Sequence, residues 1–310
     1  MRIGFVVDAS CDLPDAHFEA NGISILPSSL ELGGRTWLDE RAPDKTMMFY
    51  RRFIADRAVD ARSGACSVEE IREIFLRELV LDFERVLVIS PGPAFSDLFA
   101  RATEASYAIL QSYRERREEG QCGGSFALRV LDSGSLCAGQ AITVCRGLEL
   151  LGEGRLGFEK IRRALREEVP LTTCLLVPGD PWYLRRRGLD GRGKGLSRFD
   201  HAMSKVSDLK PVIELADGRK RVIARPRGFE SACTRALGLA HAGLKAGLGT
   251  PSVVLSFGGD PRVIRELPAY LELEAEAAAA RVDLHFSVMS ATMGARLGPG
   301  ALSVAWQRRS

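Results

Sequence analysis

No stretch of this sequence holds the roughly 18 consecutive apolar residues that a membrane-spanning helix needs, so no integral membrane segment of that kind is expected. Histidine is scarce. His17, His201, His241 and His285 stand far apart and share no metal-ligand spacing, so no metal is expected. The seven cysteines are odd in number and scattered, with no C-x-x-C pair. That excludes a disulfide framework and predicts a cytoplasmic protein whose reduced thiols serve as small apolar side chains. An excess of one charge is missing too. With 43 basic and 40 acidic side chains the net charge is +3, too balanced for the basic stripe of a nucleic-acid binder. The one dense basic run, Arg185-Arg186-Arg187 with Arg192 and Lys194 beyond it, reads as a solvated surface patch. The opening "MRIGFVVDASCDLP" is too short in apolar residues for a signal peptide, and Asp8 interrupts it.

What is present is alternation. The 310 residues set a prior of about two domains. Strand-like runs at 2–7, 23–32, 85–90 and 127–132 alternate with helical segments. Asp12 reads as the N-cap of the first helix, with Pro14 in its first turn. Ser67 and Glu70 read as a capping box, and Ser96 as the N-cap of a long helix over 96–120. Such alternation predicts right-handed crossovers and a mostly parallel sheet with flanking helices. The character changes near Pro170. "KPVIELADGRKRVIARP" holds two strand-like runs joined at Asp217-Gly218, a hairpin signal. A hairpin has no place in an all-parallel sheet, so the second sheet is predicted to be mixed. The expected fold is α/β in two domains, 1–166 and 167–310.

In an open parallel sheet a ligand binds beyond the carboxyl ends of the strands. There the sequence places Asp8, Ser10 and Asp12, then Ser90 and Ser96, then Asp132, Ser133 and Ser135, with Ser63 and Gly64 on another loop. Ser and Asp after strands ordinarily cap helices and make turns. Together, though, they form a face rich in hydroxyls and poor in bases. A helix start at Ser96 adds backbone N–H groups suited to an anion. Catalytic templates fit poorly: no G-x-S-x-G occurs, and "GLDGRGKGLS" (188–197) has Gly195 where a phosphate loop needs Ser or Thr. "GARLGPGA" (294–301) sets Arg296 against a Gly-Pro-Gly turn, where glycines permit close backbone approach.

Several segments, in order, resemble the DegV family of bacterial fatty-acid-binding proteins. They are "VVDASCDLP", "NGISILPSSL", "LDSGSLCAGQA", "LKPVIELADGRKRVIARPRG" and "GPGALSVAW", reaching from residue 1 to about 307. The resemblance implies a long-chain fatty acid buried in a tunnel between two α/β domains, its carboxylate at loops of the first. It implies no cofactor and no catalysis by this chain, and a separate fatty acid kinase as partner. The family's carboxylate-binding threonine falls on Ser63 and its head-group serine on Ser96. Its kinase-linked arginine falls on Arg227. Its His-Thr-Gly-Pro-Gly motif falls on Arg296-Leu297-Gly298-Pro299-Gly300, so Arg296 replaces the histidine and Gly298 and Gly300 lie beside the head group. An arginine there is always charged and suits a carboxylate. Asp97 stands where the family has glycine, and offers Arg296 an acid of the protein as the alternative partner to a ligand. The family's Gly-Gly-Arg-Ile segment is replaced by "RRRGLDGRGKGLSR" (185–198). Two other readings stay open: an enzyme acting on a small phosphorylated or carboxylated substrate in the same cleft, and a lipid-sensing module without a kinase.

Overall fold

The computed structural model describes residues 2–52, 61–189 and 208–309. The chain opens with β1 (Ile3–Asp8), α1 (Asp15–Ala20), β2 (Ser24–Leu26), β3 (Ser28–Leu32), β4 (Arg35–Asp39), α2 (Pro43–Arg52) and β5 (Ala61–Ala65). Next come α3 (Val68–Ile74), a π-helical turn, α4 (Val80–Asp82), β6 (Arg85–Ser90), α5 (Leu98–Ala108), α6 (Tyr113–Glu119), β7 (Ala127–Asp132), α7 (Ala138–Gly152) and α8 (Phe158–Glu168). The second half runs through β8 (Thr172–Val177), α9 (Pro181–Arg187), β9 (Val212–Ala216), β10 (Arg219–Ala224), α10 (Phe229–Ala246) and β11 (Leu248–Phe257). It closes with α11 (Arg262–Arg265), α12 (Pro268–Ala280), β12 (Asp283–Val288), α13 (Ala291–Leu297) and β13 (Leu302–Arg308).

The parallel sheet has the order β2-β1-β6-β7, and its strands read as near-continuous apolar runs because helices cover both faces. The second sheet is mixed, in the order β10-β9-β8-β13-β11-β12, with only β11 and β12 parallel. Its β9–β10 hairpin turns at Asp217 and Gly218, both at positive φ (49° and 69°), as a type I′ turn requires. Helix α7 lies between these two sheets. Ala138 to Cys145 are buried without a break, as expected of a helix apolar all round.

The sequence reading missed a third sheet, antiparallel in the order β4-β3-β5. Residues 23–32 are not one strand: β2 joins the parallel sheet and β3 the small one, with Pro27 between them. Proline has no N–H for a ladder, so the change of sheet falls there. Gly33 and Gly34, at φ 54° and 77°, turn β3 into β4. Strand β5, "ARSGA", has no apolar alternation, and pairing with β3 is what makes it a strand. The helix expected over 96–120 is broken by a 3₁₀ turn at Ile109–Gln111.

Candidate functional site

Arg296 sits in the last turn of α13 and is only 5% exposed. A buried guanidinium is tolerable only if its donors are used. Its Nε donates to Ser63 Oγ at 2.8 Å, and its Nη1 to the carbonyls of Phe95 (3.0 Å) and Leu189 (2.6 Å). The arginine therefore turns inward and joins β5, the β6–α5 loop and the end of α9. Ser63 is on a strand, not on a loop as the sequence suggested. Its cross-strand neighbour is Leu30, whose own partner on the other side is Trp37. Residues directly opposite share a face of the sheet, so a hydroxyl is followed by an apolar row. Leu30, Trp37, Phe49 and Ala291 line a pocket on that side.

Ser96 lies one residue beyond the carbonyl that Arg296 holds. The N-cap position proper is Asp97, which makes no side-chain cap; instead Ser96 Oγ accepts from Leu98 N–H at 3.2 Å. The helix thus begins one residue later than the sequence suggested. Asp97 lies 4.0 Å from Arg101 one turn on, with half its side chain exposed. Ser63 and Ser96 have a common state. Each accepts a hydrogen bond from the protein, and neither hydroxyl donates to another described residue. Each therefore retains its one O–H to donate.

Asp8, at the end of β1, is 5% exposed. Its Oδ1 accepts from Ser10 Oγ (2.9 Å) and Gln140 Nε2 (3.0 Å). Gln140 in turn is held by the Ile89 carbonyl at 2.8 Å. Burial pushes the Asp8 carboxyl above its ordinary value; the hydrogen bonds from Gln140 and Ser10 and the charge of Arg296 pull the other way. Gln140 was not singled out from sequence, yet a lone amide inside an apolar helix was the available signal. Cys66, beside Ser63, donates to the Pro27 carbonyl, and burial pushes its thiol up to about 11.

Asp12 does not cap α1. That N-cap is Pro14, without a side-chain bond. Asp12 is wholly buried and accepts from Arg41 Nη1 (2.9 Å), Ser256 Oγ (2.6 Å) and Ser290 N–H (3.0 Å). Asp39 accepts from the N–H and Oγ1 of Thr292 (2.7 and 2.8 Å). The two acids thus hold the start of the helix whose end carries Arg296.

The Gly-Pro-Gly turn meets protein. Gly300 N–H donates to Gly258 O at 2.7 Å, and a Cβ on Gly179 would fall 2.0 Å from Pro299 O. Gly298 has φ +85°, and a Cβ there would lie 2.6 Å from the Tyr183 ring. Gly298→Ala is expected to cost about 1–3 kcal/mol in urea unfolding, from backbone strain and overpacking together. Arg227 is exposed and forms a backbone bridge with Leu209. Most of the phosphate-loop near-match and of the segment replacing the family's Gly-Gly-Arg-Ile lies at 190–207, outside the described residues. His17 and His285, distant in sequence, meet edge to face at 4.7 Å. Among the described residues no group of three or more His, Cys, Asp or Glu side chains is placed to hold a metal, and no helix is long and apolar enough to cross a membrane.

A model of the DegV family matches residues 2–309. A DegV domain-containing protein of Xanthomonas campestris pv. campestris is 35% identical over 306 residues, 99% of this chain and 97% of its own. Among solved structures, a DegV lipid binding protein from Thermotoga maritima superposes with a TM-score of 0.76 at 18% identity, covering both chains fully. The fatty acid kinase B3 protein of Streptococcus pneumoniae, loaded with linoleic acid, superposes with a TM-score of 0.74 at 15% identity, again over both whole chains.

Proposed function

This chain belongs to the DegV family, and from that premise we propose that it binds one long-chain fatty acid and does no chemistry on it. The carboxylate is held by Ser63, Ser96 and Arg296. The observation that carries this reading is the state of the two serines. Both accept from protein donors and keep their O–H for an acceptor, beside a buried guanidinium. Two hydroxyl donors and a cation make a receptor for a carboxylate. The tail runs from Ser63 over the row of Leu30 and Trp37 into a tunnel between domains 1–166 and 167–310. Each buried methylene contributes about 0.8 kcal/mol, so a dozen supply on the order of 10 kcal/mol before ordering costs. The solved relative from Streptococcus pneumoniae is a fatty acid kinase B3 protein, and this supports a kinase subunit as partner, met on the side of Arg227.

Mass spectrometry of the purified protein, native and then solvent-extracted, tests the reading. A stoichiometric long-chain fatty acid is expected. A protein that is empty and also refuses added fatty acids would sink it. Ser63→Ala and Ser96→Ala are each expected to weaken fatty acid binding about 10- to 100-fold, the worth of a hydrogen bond to a charged group. Full lipid occupancy in Ser96→Ala would remove that residue from the site.

A further inference from the structure

His17 and His285 stand in different halves of the molecule and touch. His17 lies on α1, which joins β1 to β2 of the parallel sheet, and His285 lies on β12, an edge strand of the mixed sheet. The ring centroids are 4.7 Å apart and the planes meet at 69°. Edge against face is an attractive arrangement for uncharged aromatic rings. Both side chains are partly buried, and His17 Nε2 is buried with no hydrogen-bond partner among the described residues. Protonating both rings would set two positive charges in direct contact across this seam. Beside the pair the seam is loosely filled. A cleft of about 220 Å³ lies between Pro14 and Asp15 at the start of α1, Thr46 on α2, and Phe286 and Ser287 on β12.

We propose that His17 and His285 form an acid-sensitive latch between the two halves, closed while the rings are neutral and loosened at the α1–β12 seam when both take a proton. The latch rests on the ring contact and the cleft, and it stands apart from the fatty-acid reading. Burial pushes both imidazoles below the ordinary histidine value; for His17 the second ring adds to this, and Asp283 pulls both the other way. Asp283 is exposed on β12 and can balance one proton, not two. The remaining neighbours do not balance the second. From β11, Val254 pairs with His285 and Ser252 with Asp283, and neither carries charge. Cys145, on α7, has a thiol pushed up to about 12 by burial, so it is neutral. Arg41, across the cleft, is a cation already paired with Asp12 at 2.9 Å. On α1 itself Glu19 is exposed, and Asp15 has a carboxyl that burial pushes up. The folded state thus holds the histidine protons less tightly than the unfolded chain. The stability they contribute is present above the unfolded value of about 6.5 and is lost as pH falls below it. Asp15 acts in the opposite sense, in the carboxylate range.

The test begins with an NMR titration of the imidazole protons in the full chain, assigned with the single variants His17→Phe and His285→Phe. Phenylalanine keeps a ring at the contact and cannot take a proton. Both histidines of the wild type should titrate below about 6.5. In His285→Phe, His17 is freed of its neighbour's charge and should titrate higher than in the wild type. Thermal melts then compare the wild type with the double variant at about pH 7.5 and about pH 5.5, on either side of the ordinary histidine value. The wild type should lose melting temperature on acidification, and roughly half or more of that loss should vanish in the double variant. Asp15 is present in both proteins, so its contribution cancels in the comparison. Hydrogen exchange locates the loosening. Relative to β6 at the same pH, the amides of α1 and β12 should open more readily at the acid value in the wild type, and no more readily in the double variant. Either wild-type histidine titrating at or above 6.5 overturns the proposal. So does an acid loss of melting temperature that survives whole in the double variant, or exchange that rises no more at α1 and β12 than in β6. If the double variant does not fold, the wild-type titration and exchange decide by themselves.

Discussion

Asp12→Ala is expected to destabilise the fold by about 3–5 kcal/mol, the largest single effect on stability that this structure predicts. The side chain is small, but its removal strands a charge. Arg41 is buried with it, and its other head-group bond goes to the Leu13 carbonyl at 3.0 Å. Without Asp12, the guanidinium keeps its charge and loses its counter-ion. The Ser256 hydroxyl and the Ser290 N–H lose their acceptor as well. Urea unfolding followed by circular dichroism measures the loss. Replacing both partners together, Asp12→Leu with Arg41→Met, should recover much of it, because no charge is then left unpaired. A double variant as unstable as Asp12→Ala would mean that the hydrogen bonds to β11 and α13, and not the stranded charge, carry the energy. The consequence reaches the site: the start of α13 is held by Asp12 and Asp39, and its end presents Arg296.

Arg296→Met should weaken fatty acid binding by at least about a hundredfold, the most damaging change to the proposed function. It removes the cation opposite the carboxylate, a charge-assisted bond roughly twice as strong as a neutral one. It also frees Ser63 from its donor and leaves the Phe95 and Leu189 carbonyls without theirs. Titration with laurate measures the loss, and dodecanol separates head from tail: its affinity should change far less. Arg296→Lys keeps the charge without the fork, so it should fall between the two. Equal losses for laurate and dodecanol would place the damage in the fold and not in recognition of the carboxylate.

The candidate site was legible in parts. Ser63, Ser96 and Arg296 were identified by motif order, and two of them are in direct contact across 233 residues of sequence. Ser96 was also legible by position, since a hydroxyl ahead of a helix has a local cause. Asp12 misled for the same reason. An aspartate two residues before a proline looks like a cap, and only the packed structure sends its carboxylate to Arg41. Asp8 was visible as an acid after a strand, but its pairing with Gln140 depends on how α7 lies against β1 and β6.

By itself, the sequence determined the class of fold, the parallel first sheet, the mixed second one and the hairpin between Ala216 and Arg219, because periodicity, caps and turn residues act on neighbours in the chain. Only the tertiary structure decided that "ARSGA" is a strand, that the strands around Pro27 belong to different sheets, and that Arg296 turns inward. A strand without apolar alternation exists only through its partner, and a buried arginine is stable only where distant carbonyls and hydroxyls converge on it. Both conditions are set by the order of strands and the paths of crossovers, which no local pattern records.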